Sequence, residues 1–366
     1  MIAEGKLEFE ITWNGKRITG AAVNSSRPVF ASRVLEGKLV DEAVRRVPFL
    51  FGVCGKAQGV AAAAACDAAR GIEAASGVRD GRERAIAAEC LQEYLWRLFI
   101  DLPPLIGEAA RPGDLAGLRR RRPVAAGAAE WRDIAADAEA LLEERVYGMK
   151  PRAWLELDAE KLGRWTDDAA LPSTRMLARL RGFRFRSPRG FLPWLGPAEL
   201  AGVVAPAMEA NDAFAAAPTW QGKAAETGAL ARQRFHPLLA DGLAADGGGA
   251  ATRLLARLVE LAALPEQLRR PVASGVRAAA PRRAAGIAAV ETARGTLIHR
   301  VDLDGVKVAH YRIVAPTEWN FHPRGAFPRG LAGMPARDEN EARRAAALLA
   351  HALDPCVAYG IRVQHA

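Results

Sequence analysis

A run of small residues from Gly59 to Ala69 is the feature that most limits how this 366-residue chain can fold. Five consecutive alanines lie within it, and alanine has the highest helix propensity of the amino acids. We therefore predict a helix over these residues. Because its surface lacks bulky side chains, neighbouring backbones can approach it closely. The helix is expected at a central, crowded position of the fold.

A β-hairpin is predicted near the start of the chain. Residues 6–13 alternate apolar and polar side chains, which gives a strand one apolar face. Asn14-Gly15 follows, and this dipeptide favours the positive φ values of a tight type I′ turn. The hairpin is expected over about 6–23, and Ser25-Ser26-Arg27-Pro28 is expected to break it.

A second β-hairpin is predicted over about 296–314, with Asp304-Gly305 as its turn. Counting back from that turn places His299 opposite His310. Opposed histidines can bind a metal, but no third ligand lies nearby in the sequence. The pattern therefore favours a packed or hydrogen-bonded pair.

Helical periodicity covers most of the remaining chain. A helix from about Lys38 to Val47 is expected to end at Pro48, since proline interrupts helical hydrogen bonding. Further helices are predicted at 82–100, about 129–146, about 251–264 and about 338–353.

Several segments show no such regularity. A surface connection is expected at 112–128, short helices with irregular packing at 150–228, and a loop at 241–250, whereas 271–289 has no clear period. The predicted fold class is mainly α with small β-hairpins or sheets (α+β). No repeat or linker divides the chain, so 1–366 is expected to form a single domain.

Composition excludes other classes of protein. The chain is 50% hydrophobic and 25% charged, as in soluble globular proteins. No window approaches the roughly 18–20 apolar residues of a membrane span, and the start lacks a signal-peptide pattern, so we expect a cytoplasmic protein with no membrane partner. The net charge is +9, but the clearest cationic cluster, Arg119–Arg122, precedes Pro123 in a predicted loop. It is interpreted as a solvated loop, and no nucleic-acid partner is expected.

Four cysteines, Cys54, Cys66, Cys90 and Cys356, are too few in a chain of this length to indicate a disulfide framework. Cys66 and Cys90 lie in apolar, helical segments and are interpreted as small core residues. Cys54 lies in a Gly-Val-Cys-Gly turn before the alanine run. Cys356 follows Asp354-Pro355, just beyond the end of a predicted helix.

Two motifs near the second hairpin carry a family resemblance. Glu291-Thr292-Ala293-Arg294-Gly295-Thr296-Leu297-Ile298-His299 and Pro316-Thr317-Glu318-Trp319-Asn320-Phe321-His322-Pro323-Arg324 resemble the large subunit of nickel–iron hydrogenases. In that family an arginine before a glycine, here Arg294, stands over the active-site iron and donates to a cyanide ligand.

The resemblance extends to the two outer cysteines. The family binds its metals through one Cys-x-x-Cys near the N-terminus and a second one, after Asp-Pro, near the C-terminus. Cys54 matches the second cysteine of the first motif, which bridges both metals, and Phe51 stands in place of the first. Cys356 matches a nickel-terminal position, and Tyr359 stands where the second bridging cysteine is expected.

Other family positions also differ. Gln58 replaces a histidine four residues after the retained cysteine, and Val29-Phe30-Ala31-Ser32 lacks the family's Arg-Gly-x-Glu. Glu4-Gly5 resembles the opening Glu-Gly, whose glutamate relays protons.

Nickel in the family is held by four thiolates, and with two of them lost a stable nickel–iron centre is not expected. An iron that carries its own cyanide and carbonyl ligands needs fewer protein donors.

A shortened large-subunit homologue with such a damaged nickel site is similar to the HupK/HoxV group of hydrogenase expression/formation proteins. The resemblance implies a truncated large-subunit-like fold with a central bundle of long helices. It also implies a scaffold that holds or assembles an Fe(CN)2(CO) group, transiently and without nickel, for transfer to the hydrogenase large-subunit precursor. The partners would be that precursor and the maturation factors that assemble the iron site.

Within this hypothesis Cys54 and Cys356 are the iron ligands, Arg294 orients a cyanide through charge-assisted hydrogen bonds, and His299 supports the site from behind the ligands. The protein would not be an enzyme. Two alternatives remain. One is a metal-free chaperone that acts only through protein interactions. The other is a divergent enzyme that activates hydrogen with iron alone, against which the missing ligands stand.

Overall fold

The computed structural model describes residues 5–115, 128–185, 190–272 and 275–366. The Arg119–Arg122 cluster and Glu4 lie outside the described residues. The strands are β1 (Leu7–Trp13), β2 (Ile18–Ser25), β3 (Val276–Arg282), β4 (Ala285–Thr292), β5 (Gly295–Asp304), β6 (Lys307–Val314) and β7 (Tyr359–His365). The helices are α1 (Val40–Leu50), α2 (Gly55–Ala69), α3 (Ser76–Trp96), α4 (Leu102–Leu105), α5 (Ala128–Leu142), α6 (Pro151–Leu155), α7 (Ala159–Asp167), α8 (Pro172–Leu180), α9 (Pro197–Glu199), α10 (Ala205–Ala210), α11 (Ala229–Gln233), α12 (Ala240–Asp246), α13 (Ala250–Arg269), α14 (Pro316–Asn320), α15 (Ala326–Leu331) and α16 (Glu339–Leu353).

A three-stranded sheet, in the order β2-β1-β7, contains the first predicted hairpin. The alternation in β1 is confirmed, because every second residue from Leu7 to Trp13 is buried. The two-residue turn is wrong: Trp13 pairs with Ile18, and the Asn14 side chain accepts hydrogen bonds from the backbone N–H groups of Lys16 and Arg17. Such a side-chain turn holds a longer connection than the dipeptide indicated. Strand β7, which was not predicted, pairs parallel to β1.

A four-stranded antiparallel sheet, in the order β3-β4-β5-β6, contains the second hairpin. Strand β4 was not predicted, because it is buried on both faces and so lacks the alternation that marks a half-exposed strand. The hairpin of β5 and β6 is confirmed. Its predicted turn and register are wrong: Asp304 pairs with Lys307, so the turn is Gly305-Val306, and a further irregularity between Asp302 and Leu303 pairs Asp302 with His310 and His299 with Ile313. The two histidines therefore do not face each other.

Helix α2 lies at the centre of the fold, as its small residues predict. It packs on β3, β4 and β5, and also contacts α1 and α3. The approach to the sheet is so close that a Cβ atom on Gly286 of β4 would collide with the Ala65 carbonyl oxygen. The helix begins at Gly55, four residues before the predicted start. The Glu89 carboxylate of α3 accepts hydrogen bonds from the N–H groups of Lys56 and Ala57, both at 2.9 Å, and so satisfies donors of its first turn.

Two predicted boundaries are wrong. Pro48 lies inside α1 rather than at its end, and its ring packs against Gly59 of α2, where a Cβ would come within 3.0 Å of the proline Cγ. The predicted loop at 241–250 is largely α12, which ends at Gly247 in the left-handed conformation favoured at helix C-termini.

The long helices form the predicted bundle. Helix α13 packs on α3, α5 and α16, and together with β1 and α2 these helices enclose the largest hydrophobic core. Cys66 and Cys90 are buried in that core, which confirms their structural interpretation. The arrangement is mainly helical with two small sheets, so the predicted fold class is confirmed. Over the described ranges, no helix is long and apolar enough to cross a membrane.

Candidate functional site

Cys54 and Cys356 line the same cavity, which has a volume of about 90 Å³. The two residues are roughly 300 positions apart in the sequence. Apolar side chains, among them Leu50, Phe51 and Ile313, form part of the wall. The polar part consists of side chains that contact the cysteines directly or lie beside them. They are Arg27, Ser32, Gln58 and Glu318.

Cys54 ends the short turn Gly52–Cys54 that leads into α2. Its sulfur accepts a hydrogen bond from Gln58 Nε2 at 3.5 Å, one helical turn further on. Burial raises the pKa of the Cys54 thiol to about 12, and the nearby Cys356 and Glu89 act in the same direction. The metal-free protein therefore holds Cys54 as a thiol, and a metal that binds there must displace its proton.

Gln58 is itself held by a buried histidine. His299 Nε2 lies 2.8 Å from Gln58 Oε1, and His299 Nδ1 lies 2.8 Å from the Tyr311 hydroxyl. Burial lowers the pKa of His299 to about 3, so the imidazole is neutral and has one donor and one acceptor nitrogen. The Gln58 amide nitrogen donates to the Cys54 sulfur, so the Gln58 oxygen is left to accept from His299 Nε2–H. His299 Nδ1 then accepts from the Tyr311 hydroxyl. His299 thus orients the side chain that contacts Cys54.

Cys356 follows the end of α16. The Thr317 hydroxyl lies 3.1 Å from the cysteine sulfur and accepts from the Cys356 N–H at 3.3 Å. Arg27 Nη1 donates to the same sulfur at 3.1 Å, while Arg27 Nε donates to Glu318 at 2.6 Å. Burial alone would lower the pKa of Arg27, but the Glu318 carboxylate and Cys356 raise it above its usual range. Arg27 is therefore a permanent cation beside Cys356.

Asp354, two residues before Cys356, lies among three arginines. Its Oδ1 is 2.9 Å from Arg97 Nε and 3.2 Å from Arg294 Nε, and its Oδ2 is 3.8 Å from Arg257 Nη2. Burial would raise the pKa of this carboxyl group, but the three guanidinium groups hold it well below its usual range. The backbone of Asp354 is in the left-handed region, with φ of 58°, a conformation that non-glycine residues rarely adopt.

The same arginines bind the backbone around Cys356. Arg97 donates to the Pro355 carbonyl at 3.2 Å, and Arg257 donates to the carbonyls of His351 and Ala352 at 2.9 and 2.7 Å. Helices α3 and α13 provide the scaffold for these contacts, since Arg97 directly follows α3 and Arg257 is on α13. The end of α16 and the residues up to Pro355 are therefore fixed before the chain reaches Cys356.

Arg294 lies at the tip of the β4–β5 hairpin, where Thr292 pairs with Gly295. Its Nη2 donates to Glu93 at 2.6 Å, and its side chain is 4% exposed. Asn320 holds the tip in place, because its amide donates to the carbonyls of Arg294 and Leu353, both at 3.1 Å. Arg294 lines a separate space of about 20 Å³ together with Asp354. Its charge nevertheless reaches both cysteines and opposes the rise in the Cys54 pKa.

The predicted site residues thus take different places. Cys54 and Cys356 line one cavity, His299 reaches Cys54 through Gln58, and Arg294 lines a separate space together with Asp354. Phe51 lines the cavity. Tyr359 lies in β7, where its ring is 5.4 Å from that of Phe9.

Sequence reasoning assigned no site role to Arg27, Thr317 or Glu318. Thr317 and Glu318 lie inside the motif that carried the family resemblance, so that motif could have indicated a role at the site. No sequence pattern pointed to Arg27, because its segment was interpreted only as the end of the first hairpin. Its contact with Cys356 joins residues 329 positions apart.

The donor set fits a metal group that brings ligands of its own. Within the ranges that the structure describes, no three His, Cys, Asp or Glu side chains are grouped so that they could hold a bare metal ion. Two sulfurs on one small cavity are too few for a nickel site of four thiolates. One oxygen of Glu318, Oε2, is buried without a partner among the described residues, beside the same cavity.

Comparison with known proteins is consistent with this architecture. Residues 251–362 match the family described as nickel-dependent hydrogenase. Among solved structures, the NiFeSe hydrogenase of Dm. baculatum superposes with a TM-score of 0.65 at 17% identity, covering 97% of each chain, which establishes the likeness of fold.

Sequence relatives are closer. The chain is 32% identical to the hydrogenase expression/formation protein HoxV of Cupriavidus necator, over 97% of this chain and 95% of the relative. It is also 32% identical to the hydrogenase expression/formation protein HupK of Azotobacter vinelandii, over 99% of both. These relatives carry the name of expression/formation proteins rather than of hydrogenases. The chain therefore belongs to the HupK/HoxV family of hydrogenase expression/formation proteins, which are homologues of the nickel–iron hydrogenase large subunit.

Proposed function

We propose that this protein acts in hydrogenase maturation as a non-catalytic scaffold. It holds or assembles an iron group with two cyanides and one carbonyl before transfer to the hydrogenase large-subunit precursor. The observation that carries the proposal is that Cys54 and Cys356, the two retained positions of two metal-binding motifs, line one small cavity. Each sulfur would supply one iron ligand.

The remaining site residues have supporting roles in this proposal. Arg294 lines the separate space that it shares with Asp354, but its positive charge acts on both cysteines and would favour an anionic iron group, and its free donors would orient a cyanide. His299 keeps the Gln58 amide directed at the Cys54 sulfur. Hydrogen bonds of this kind around a ligand fix its orientation and tune the metal it binds.

Nickel has no place in the proposed cycle. Phe51 and Tyr359 stand at the two other cysteine positions, and neither side chain offers a soft donor. The iron group would remain only until a maturation partner or the precursor removes it. The partners would be the maturation factors that build the iron site and the large-subunit precursor, in the cytoplasm.

Infrared spectroscopy tests the scaffold. The protein would be purified from a host that expresses the hydrogenase maturation machinery, and the spectrum should show cyanide and carbonyl stretching bands. Cys54→Ala and Cys356→Ala should abolish the bands. Cys66→Ala, which alters a buried cysteine away from the cavity, is the matched control and should leave them unchanged. Bands absent from the wild type, or undiminished in Cys54→Ala, would show that the proposal is wrong.

An interaction chaperone without metal is the second candidate. Phe49 is 88% exposed and Phe30 is 47% exposed, and each is adjacent in sequence to residues that line the cavity. If the two rings belong to one contiguous apolar patch, that patch would suit a protein contact. Iron analysis separates the two candidates, because a purely interacting protein would contain no stoichiometric iron and would tolerate both cysteine changes.

Hydrogen-dependent dye reduction by the purified protein would instead indicate an iron-only enzyme.

A further inference from the structure

We propose that Arg27 is a second cyanide-binding residue of this site, and that Glu318 positions it. This inference rests on the proposed function, because it concerns how the cavity would hold the iron group. No motif indicated Arg27, and its role follows only from the contacts that the folded chain provides.

Arg27 reaches the cavity from the segment that follows β2. Its guanidinium joins two groups of the cavity wall, donating to the Cys356 sulfur at 3.1 Å and to the Glu318 carboxylate at 2.6 Å. The side chain is only 14% exposed, and that of Glu318 only 6%. Two buried charged groups that neutralise each other in one geometry are held far more firmly than a surface ion pair. The cation is therefore fixed at the edge of the cavity.

The guanidinium has capacity left for a ligand. An arginine has five N–H donors and no acceptor. Within the described part of the chain, the two hydrogen bonds of Arg27 use two of these donors, so three remain. An iron-bound cyanide carries negative charge and accepts hydrogen bonds at nitrogen, whereas an iron-bound carbonyl is a weak acceptor. The cyanide would therefore turn towards Arg27, and the carbonyl towards the apolar wall at Leu50, Phe51 and Val53.

Glu318 fixes the direction of Arg27. Its Oε1 accepts from Arg27 Nε at 2.6 Å, and both side chains are largely buried. A carboxylate only accepts hydrogen bonds, so a cyanide cannot pair with Glu318 and would meet the donors of Arg27 instead. The arginine–carboxylate pair lies in the wall of the cavity that both cysteines line.

Arg27 and Arg294 line two different spaces. Arg294 is bound to Glu93 and Asp354 and lines the neighbouring space of about 20 Å³. Arg27 lines the cavity itself and contacts the sulfur of Cys356. Of these two cations, Arg27 is the one that lines the cavity which would hold the iron group, so its contact with a cyanide does not depend on that of Arg294.

The test compares Arg27→Gln with Arg33→Gln, each expressed with the maturation machinery. Arg33 is the matched control because it follows closely in sequence, has a 54% exposed side chain and stacks on Phe30. Loss of a hydrogen bond to cyanide returns electron density to the iron. We therefore expect Arg27→Gln to shift the cyanide and carbonyl bands to lower wavenumber and to release iron about tenfold faster during gel filtration, equivalent to about 1.4 kcal/mol. Glu318→Gln should give a smaller shift in the same direction.

The outcomes separate the two proposals. A wild type without cyanide and carbonyl bands overturns the proposed function, and this inference with it. A wild type with bands, and an Arg27→Gln protein whose bands and iron release equal those of Arg33→Gln, overturns this inference alone. If circular dichroism shows that Arg27→Gln does not fold, Glu318→Gln decides, because it removes the charge that positions Arg27: cyanide bands and iron release equal to those of Arg33→Gln refute the role of Arg27.

Discussion

Replacing Asp354 by asparagine should strongly destabilise the protein, because it removes the negative charge that Arg97 and the two buried arginines Arg257 and Arg294 share. Among the described residues, Arg97 would keep Asp101, Arg294 would keep Glu93, and Arg257 would keep its two backbone carbonyls. Removing one partner of a buried ion pair typically costs about 3–5 kcal/mol, since the remaining charge stays buried without compensation.

The expected shift in melting temperature follows from the size of the chain. An unfolding entropy of roughly 2 cal/mol/K per residue gives about 0.8 kcal/mol/K for 366 residues. A loss of about 3–5 kcal/mol then lowers the melting temperature by about 4–7 °C. Urea unfolding followed by circular dichroism measures the free energy directly. The control is Asp41→Asn, which breaks a surface pair with Arg70 and should cost less than about 1 kcal/mol.

The loss should also depend on pH in a defined direction. The arginines depress the pKa of Asp354 below its ordinary value of 3.8. Its contribution to stability is therefore fully present above that value and disappears as the pH falls towards the lower pKa of the folded state. The difference between wild type and Asp354→Asn should be constant from pH 5 upwards and should shrink below about pH 4. A variant as stable as Asp41→Asn would refute the role given to the arginine cluster.

Four further expectations concern other parts of the fold. Gly286→Ala should lower the free energy of unfolding by about 1–3 kcal/mol, because its Cβ meets the backbone of α2, whereas Gly163→Ala, in open space, should not destabilise the protein. Burial raises the pKa of Glu89 to about 7, so wild-type stability should fall as the pH rises from about 4.5 through 7, and the urea midpoint of Glu89→Gln should vary less over that range. His299→Phe leaves the Tyr311 hydroxyl and Gln58 Oε1 without their partner and should lower the free energy of unfolding by about 1–3 kcal/mol near pH 7. Because folding lowers the pKa of His299, the difference between wild type and variant should become smaller as the pH falls below 6.5. Since the pKa of Cys54 is raised to about 12, mass spectrometry should show little alkylation of this thiol by iodoacetamide at pH 8, and rapid labelling would contradict its environment.

The sequence predicted those elements whose pattern is local. The alternation in β1 places its apolar face correctly because only one side of that strand is buried. Asp338 caps α16 as expected, since its side chain accepts from the Glu341 N–H. Strand β4 escaped prediction for the opposite reason: burial on both faces removes the period on which the inference depends.

The site divides in the same way. The family motifs identified the two cysteines, Arg294 and His299, but no local pattern shows that Arg27 lines the cavity of the cysteines while Arg294 lines another space. The second hairpin shows the same limit. Its turn lies one residue later than the Asp-Gly dipeptide predicts, and an irregularity beside Leu303 shifts the pairing once more. His299 therefore lies opposite Ile313 and contacts Gln58 and Tyr311.

The parallel pairing of β7 with β1 has a consequence for the order of events in the cell. Strand β7 begins three residues after Cys356 and joins a strand at the other end of the chain. Contacts between such distant segments form late, because a long loop must close first. During synthesis, a chain that already has Cys54 and α2 in place still lacks the second sulfur and the carboxylate of Asp354. The cavity is therefore complete only after the segment around Cys356 has joined the part of the fold that holds Cys54.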